Sequence, residues 1–327
     1  MHQEEAQRAA YSERRLAELG KSIAAMEPLL NEAELCIYAT GSYGRLEAWE
    51  GSDIDLFFLY ENTESFSYLT FLRIAGCLIE ATERMGFPPF SGDGQFLEGL
   101  DVREMERMLG SREDDSTNTF TARMLLLLES QPVSDERRYR DLLEQIVGFY
   151  YRDFPGHEDD FVPRFLINDI LRFWRTLTLN YEHDRFAVRA IADLEERARK
   201  QAKSSLKNYK LKLSRLATCF SMVVHLACEQ PPVTAQQVVG LCSLTPRLRF
   251  AALSGRTDKA DSLLNEIDRH YERFLDQVQR PEPELIELFG EETSRREQLA
   301  EATRFGDLIY DLMFELAEPR RLRSLVI

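Results

Sequence analysis

The order of apolar and polar residues predicts a mixed N-terminal region. Apolar positions recur at helical spacing over residues 3–30, and two short apolar runs follow at 35–39 and 54–60. Short apolar runs bounded by turn residues are typical of strands. The pattern then predicts a helix, a short strand and a second helix, at residues 68–85, 95–102 and 103–109. We therefore expect strands and helices to be interleaved in this first region.

Beyond residue 120 the extended runs disappear and only helical periodicity remains. The predicted helices lie at 121–129, 138–151, 163–181, 185–220 with a break, 247–253, 260–279 and 298–316. Residues 230–246 carry prolines and threonines and predict a connection. The composition changes near Gln131-Pro132, which predicts one domain of residues 1–130 and an all-helical domain of residues 131–327. The expected fold is α+β, with a small mixed sheet flanked by helices followed by a helical bundle.

Composition and charge narrow the class of protein. The chain is 44% hydrophobic, but its longest uninterrupted apolar stretches, residues 124–128 among them, are far too short to cross a bilayer. The N-terminus lacks the basic start and apolar segment of a signal peptide, so we expect a cytoplasmic protein with no membrane partner. The net charge of −15 repels polyanions, which disfavours nucleic acid and favours a free nucleotide or a protein as partner.

The five cysteines form no CxxC pair and lie among apolar residues. This arrangement predicts buried, reduced thiols rather than disulfides or a zinc site.

Candidate chemistry is concentrated between the first two predicted strands. Asp53 and Asp55 open the second strand, and residues two apart on a strand point to the same side, so the two carboxylates should share one face. Like charges held that close require a cation, and hard oxygen ligands favour Mg²⁺, with Mn²⁺ as the alternative. Upstream, Gly41 permits close approach to a phosphate, to which the Ser42 hydroxyl and neighbouring N–H groups can donate. A metal pair beside a phosphate turn is the equipment for nucleotidyl transfer from a nucleoside triphosphate.

A basic helix stands out in this acidic chain. Residues 197–215 contain eight basic residues and no acidic one. Lys203, Lys207, Lys210 and Ser214 recur at helical spacing and should share one face. Two interpretations stay open at this point: the face attracts an anionic ligand, or it neutralises acidic neighbours.

The motif GSYGR, followed by SDIDLFF, resembles the signature of the DNA polymerase β superfamily of nucleotidyltransferases. It is most similar to the catalytic domains of bacterial PII-uridylyltransferase and glutamine synthetase adenylyltransferase. Residues 93–103 resemble the stretch of those enzymes that begins with their third acidic residue, and residues 118–125 resemble the helix that closes the uridylyltransferase domain. The resemblance covers about residues 35 to 130.

The resemblance implies roles for individual residues. Gly41 and Ser42 would hold the triphosphate, Asp53 and Asp55 would bind both metal ions, and Asp93 would complete the triad as the metal ligand on the side of the base. Glu98, on a predicted strand, is the rival for this third position. Residues 168–170 and 210–215 together look like the helical domain that follows such catalytic modules in bacterial proteins.

In that reading the helical domain completes the nucleotide cleft, and Lys210 and Ser214 contact the triphosphate or base. The implied substrate is an NTP, with ATP or UTP favoured. The implied reaction is Mg²⁺-dependent transfer of a nucleoside monophosphate to a protein or small-molecule acceptor. Two alternatives stay open: a synthase that joins nucleotides into a second messenger, and a nucleotide-sensing or antitoxin-like module without turnover. RNA tailing is disfavoured by the charge and by the lack of a recognisable RNA-binding module.

Overall fold

A computed structural model describes residues 3–61, 66–90, 94 and 97–324. Over these residues four strands form one sheet of order β3-β2-β1-β4. The strands are β1 (Cys36–Thr40), β2 (Asp55–Tyr60), β3 (Gly99–Asp101) and β4 (Gln131–Pro132). β1 pairs antiparallel with β2 and β4, and β2 pairs parallel with β3, so the sheet is mixed. The predicted α+β fold, with a small mixed sheet and a helical C-terminal region, is confirmed.

The described helices follow in chain order. In the first half of the chain, α1 to α8 span Gln3–Ser22, Glu27–Glu32, Gly41–Gly44, Tyr68–Arg84, Val102–Met108, Arg112–Ser116, Asn118–Leu128 and Glu136–Gly148. In the second half, α9 to α17 span Arg164–Val188, Leu194–Lys210, Leu216–Cys228, Ala235–Cys242, Pro246–Ala251, Asp258–Val278, Glu282–Gly290, Glu292–Leu316 and Pro319–Ser324. A π-helical turn, Leu211–Arg215, joins α10 to α11.

The chain divides into two compact units. The first comprises Met1–His157 with Thr234–Thr245, and the second comprises Glu158–Val233 with Pro246–Ile327. The boundary expected near residue 130 from composition therefore falls inside the first unit. The reason is pairing: β4 continues the sheet beside β1, and the backbone N–H of Ile37 donates to the Ser134 hydroxyl at 2.9 Å.

The sheet of the first unit has two different faces. Ile37, Leu56 and Phe58 belong to a core that α1, α2 and α4 cover. On the other face the rings of Tyr38 and Phe57 stack with centroids 5.6 Å apart. The Tyr38 hydroxyl donates to a backbone carbonyl of α7 at 3.0 Å, so α7 covers this face. Because side chains alternate along a strand, Asp55 lies on the face of Phe57.

A buried ion pair fixes α7 in the first unit. Arg123 donates through two nitrogens to the carboxylate of Asp114, at 2.9 and 2.7 Å, and through Nε to the Tyr150 hydroxyl at 2.9 Å. The side chains of Arg123 and Asp114 are both fully buried. The planar guanidinium therefore meets the carboxylate in the bidentate geometry that stabilises such pairs.

Several predicted segments differ from the structure in their detail. The single helix expected over residues 3–30 is interrupted by a 3₁₀ turn, Ala24–Met26, and α2 then restarts with Pro28 in its first turn. The stretch 230–246 is more than a connection, because it contains α12. Thr234 and Gln237 form a capping box in which each side chain binds the backbone of the other residue. That Thr-x-x-Gln pattern before apolar residues is a readable start signal.

The cysteines agree with the sequence prediction except at one position. All five are free thiols, and four of them are buried; Cys77, on α4, is exposed. Burial raises the pKa of Cys36 and of Cys219 to about 12 and that of Cys228 to about 11, so these thiols stay protonated at neutral pH.

The described residues of the second unit form helices and the turns and loops between them. Its core is built from the inward faces of α10, α11, α14, α15 and α16. In the part of the chain that the structure describes, one helix, Leu194–Cys228, is long and apolar enough to cross a membrane by length and composition. Because 72% of its most apolar window is buried inside the protein, this helix has the burial typical of a core helix.

Candidate active site

The phosphate turn expected at Gly41 contacts the acidic strand directly. β1 ends at Thr40, which pairs with Asp55 at the start of β2. Gly41 follows with φ +67°, a conformation that a residue with a side chain adopts only with strain. A β-carbon added at Gly41 would lie 3.0 Å from Oδ2 of Asp55. The structure thus brings together the turn and one of the two predicted metal ligands.

The turn is held by its own backbone and by close packing. The N–H of Arg45 donates to the Gly41 carbonyl at 3.0 Å, and the N–H of Glu47 donates to the Ser42 carbonyl at 2.8 Å. At Gly44 an added β-carbon would lie 2.1 Å from the carbonyl oxygen of Glu129. Only glycine therefore allows the turn to pack against the end of α7.

Tyr43 lies in the turn but is buried. Burial raises the pKa of its hydroxyl, and a hydrogen bond with Tyr11 acts in the same direction. The phenol therefore stays neutral at physiological pH and supports the turn from inside the core.

Arg45 ties the turn to a distant part of the sequence. Its Nε lies 2.7 Å from Oε2 of Glu47, and its Nη1 lies 2.7 Å from Oε2 of Glu129. All three side chains are buried. No local sequence pattern marks Glu129 as a partner of Arg45, because it lies 84 residues away and only the folded chain brings the two together.

The two aspartates occupy different backbone settings. Asp55 is the first residue of β2, whereas Asp53 precedes the strand, so strand alternation does not by itself orient Asp53. Between them Ile54 is buried in the core, while Asp53 is exposed and Asp55 is half-buried. Because Ile54 points into the core, Asp53 and Asp55 on either side of it are expected to point away from the core.

The donor set suits a hard divalent cation. Asp53 and Asp55 offer carboxylate oxygens, which Mg²⁺ prefers, and glycine at position 41 places no side chain against the carboxylate of Asp55. These residues therefore fit the Mg²⁺ ion predicted from the sequence.

The third carboxylate has one candidate within the described residues. Asp93 lies outside them. Glu98 directly precedes β3, whose parallel register pairs Gly99 with Phe58. Glu98 precedes the strand, so alternation does not by itself orient it, but its hydrogen-bond partner Asn118 belongs to α7, the helix that covers the face of Phe57 and Asp55. Oε1 of Glu98 accepts a hydrogen bond of 2.5 Å from the side-chain amide of Asn118.

The basic helix in the second unit is partly neutralised. Lys203 lies 2.8 Å from Glu282, and Lys207 pairs with Asp184, so part of the basic face meets acidic neighbours. Lys210 ends α10, and Ser214 is buried in the π-helical turn that follows. Such turns within long helices are frequent at functional sites. The contact of Lys210 and Ser214 with a nucleotide stays a prediction.

Comparison with known proteins bears on the region that carries this geometry. Residues 6–95 match the model of a family described as “Putative nucleotidyltransferase DUF294”. The match supports a nucleotidyltransferase family for this chain. It includes the turn, Asp53, Asp55 and Asp93, and it ends before Glu98. The closer kinship with PII-uridylyltransferase and glutamine synthetase adenylyltransferase stays a prediction. No curated protein matches the chain.

Proposed function

We propose that this protein is a Mg²⁺-dependent nucleotidyltransferase that transfers a nucleoside monophosphate from an NTP to a protein or small-molecule acceptor. The observation that carries the proposal is the contact between the turn at Gly41 and the carboxylate of Asp55. The family match over residues 6–95 supports the same reaction class. A turn that binds phosphate beside a residue that binds a metal ion suits a polyphosphate substrate with its bound cation.

Each part of the turn has a task in this reaction. The Gly41 backbone gives the triphosphate close access, and the Ser42 hydroxyl donates to a phosphate oxygen. Asp53 and Asp55 would hold Mg²⁺, which would neutralise charge on the phosphates. An acceptor oxygen attacks the α-phosphorus and forms the new P–O bond, while the bond to the β-phosphate breaks and pyrophosphate leaves. The third carboxylate takes the proton of the acceptor hydroxyl.

The remaining parts of the proposal concern the nucleotide and its surroundings. ATP or UTP is the favoured substrate. The protein acts in the cytoplasm, where thiols stay reduced and Mg²⁺·NTP is abundant. The buried thiols of Cys36, Cys219 and Cys228, which stay protonated at neutral pH, accord with a reducing compartment.

The activity is tested by incubating the protein with labelled ATP, UTP, GTP and CTP, Mg²⁺ and cell extract. We expect label to be transferred to an acceptor, with pyrophosphate released. A parallel reaction with NTPs alone, resolved by chromatography, identifies a second-messenger synthase by its product. Calorimetric binding of Mg²⁺·NTP without any conversion identifies the non-catalytic alternative, and either of these results would overturn the proposed acceptor reaction.

The third carboxylate is assigned by two conservative variants. We expect Asp93→Asn to lower the transfer rate by about 10²- to 10⁴-fold, because general base catalysis contributes on this scale. Glu98→Gln should retain most of the activity, since its amide can still bind Asn118. Rates measured with the same NTP and acceptor decide between them. The reverse order of effects would assign the role to Glu98.

A glycine pair separates the function of the turn from its backbone strain. We expect Gly41→Ala to lower the transfer rate by about 10²-fold, because the new methyl group displaces Asp55 and the phosphate. Gly86→Ala is the control, since Gly86 also has positive φ, at +75°, but an added β-carbon there meets nothing within 4 Å. Both variants should lose about 1 kcal/mol of stability or slightly more. Equal activity of the two variants would refute the role of the Gly41 contact.

A further inference from the structure

The outward face of α4 is apolar. Tyr68, Leu69, Leu72 and Ile79 are 66%, 70%, 46% and 37% exposed. The opposite face of the same helix is buried in the core of the first unit. A helix that is apolar on both faces has a second surface that its own unit does not cover, and contiguous exposed apolar surface marks interaction sites.

The outward residues have the spacing of a helix-packing seam. Leu69, Leu72, Gly76 and Ile79 follow each other at intervals of three, four and three residues, as at the a and d positions of a coiled coil. At Gly76 an added β-carbon would meet nothing within 4 Å. This position lets the backbone of another helix approach closely at the middle of the seam.

Charge along the seam indicates which helix fits it. Arg73 and Glu80 flank the apolar residues on the same edge, one heptad apart. Among the described residues, neither side chain has an ion-pair partner. If two copies of α4 pack antiparallel around a two-fold axis near Gly76 and Cys77, Arg73 of each copy faces Glu80 of the other. A two-fold interface requires this kind of self-complementarity: if a first residue of one copy contacts a second residue of the other copy, the second residue of the one copy also contacts the first residue of the other.

We propose that the face of α4 formed by Tyr68, Leu69, Leu72, Gly76 and Ile79 is the interface of a homodimer, in which two antiparallel α4 helices pair about a two-fold axis. The occupant is a second copy of this chain, because the seam and its flanking charges complement themselves. The contact removes the exposed apolar side chains from water and closes two Arg73–Glu80 pairs.

Oligomeric state tests the apolar part of the interface. Sedimentation velocity over a concentration series should show a monomer–dimer equilibrium for the wild-type protein. Leu69→Glu should abolish the dimer, because it places a charge in the seam. Leu194→Glu is the matched control, since Leu194 is 74% exposed but belongs to the second unit. A wild-type protein that stays monomeric at its highest soluble concentration overturns the proposal, and so does a dimer that Leu69→Glu leaves intact.

Charge reversal tests the antiparallel register. Arg73→Glu and Glu80→Arg should each raise the dissociation constant by about tenfold or more, because each creates two like-charge contacts per dimer. The double variant should restore wild-type dimerisation, which no loss of folding can imitate. Failure of the double variant to recover overturns the register.

The exposed thiol gives a direct probe of the axis. Cys77 is exposed, whereas the other four cysteines are buried, and the proposed axis passes beside it. A short bifunctional maleimide should therefore link two copies through Cys77, and Cys77→Ser should prevent the link. Absence of linked dimer from the wild-type protein under conditions where Cys77 is fully modified overturns the placement of the axis.

Discussion

Asp55→Asn should lower the rate of nucleotidyl transfer by about 10³-fold, and Asp53→Asn should act similarly. A metal ligand that helps to stabilise transition-state charge contributes several kcal/mol, and each 1.36 kcal/mol changes the rate by about tenfold. The amide keeps the shape of the side chain but removes its charge, so folding should be little affected. Initial rates with the preferred NTP and saturating Mg²⁺ measure the effect.

The control for this prediction is Glu50→Gln. Glu50 is exposed in the same connection between β1 and β2 and is not one of the proposed metal ligands. The Glu50→Gln substitution removes the same unit of negative charge as Asp55→Asn. The transfer rate of this variant should stay within about twofold of wild type, as expected for a surface charge screened by solvent. If Glu50→Gln and Asp55→Asn lower the rate equally, the aspartate acts only through the general field.

Arg123→Met should lower the free energy of unfolding of the first unit by about 3 to 5 kcal/mol. The substitution leaves Asp114 fully buried without its bidentate partner, and breaking a buried ion pair on one side costs about this much. It also removes the donor to the Tyr150 hydroxyl. Urea unfolding of the full chain, followed by circular dichroism at neutral pH, measures the loss.

A second substitution shows whether the uncompensated charge is the cause. Arg123→Met combined with Asp114→Leu removes both charges, and we expect it to regain most of the stability lost by the single variant. Arg140→Met is the control, because Arg140 is exposed and its pair with Glu136 lies on the surface. A loss below about 1 kcal/mol for Arg123→Met would contradict a structural role of the buried pair.

The local pattern of apolar and polar residues predicts β1, β2 and α4, because each is defined by residues that are close together in the sequence. β1, β2 and α4 lie within a residue or two of their predicted bounds, since each is an apolar run or stripe ended by turn residues. β4 has only two residues, and its pairing with β1 joins positions more than 90 apart in sequence. No local signal specifies such a strand, so the change of composition near residue 130 does not coincide with the border of the first compact unit.

In the candidate site, the sequence likewise predicts contacts between residues of neighbouring strands, but not contacts between residues far apart in the sequence. The motif predicts that Gly41 and Asp55 act together, and antiparallel pairing of adjacent strands places them in contact. The identity of the third carboxylate depends on where β3 joins the sheet. The sequence therefore leaves the choice between Asp93 and Glu98 open. The sequence also does not predict the role of Glu129, because its pairing with Arg45 forms only when α7 packs on the sheet.

The most direct test of the account is the position of a bound metal ion. Crystals soaked with Mn²⁺ and a non-hydrolysable NTP should show an anomalous peak about 2.0 to 2.3 Å from a carboxylate oxygen of Asp55, bridging to the triphosphate beside Gly41. Asp53 should supply a second ligand. A triphosphate bound elsewhere, or a peak remote from both aspartates, would contradict the proposed site.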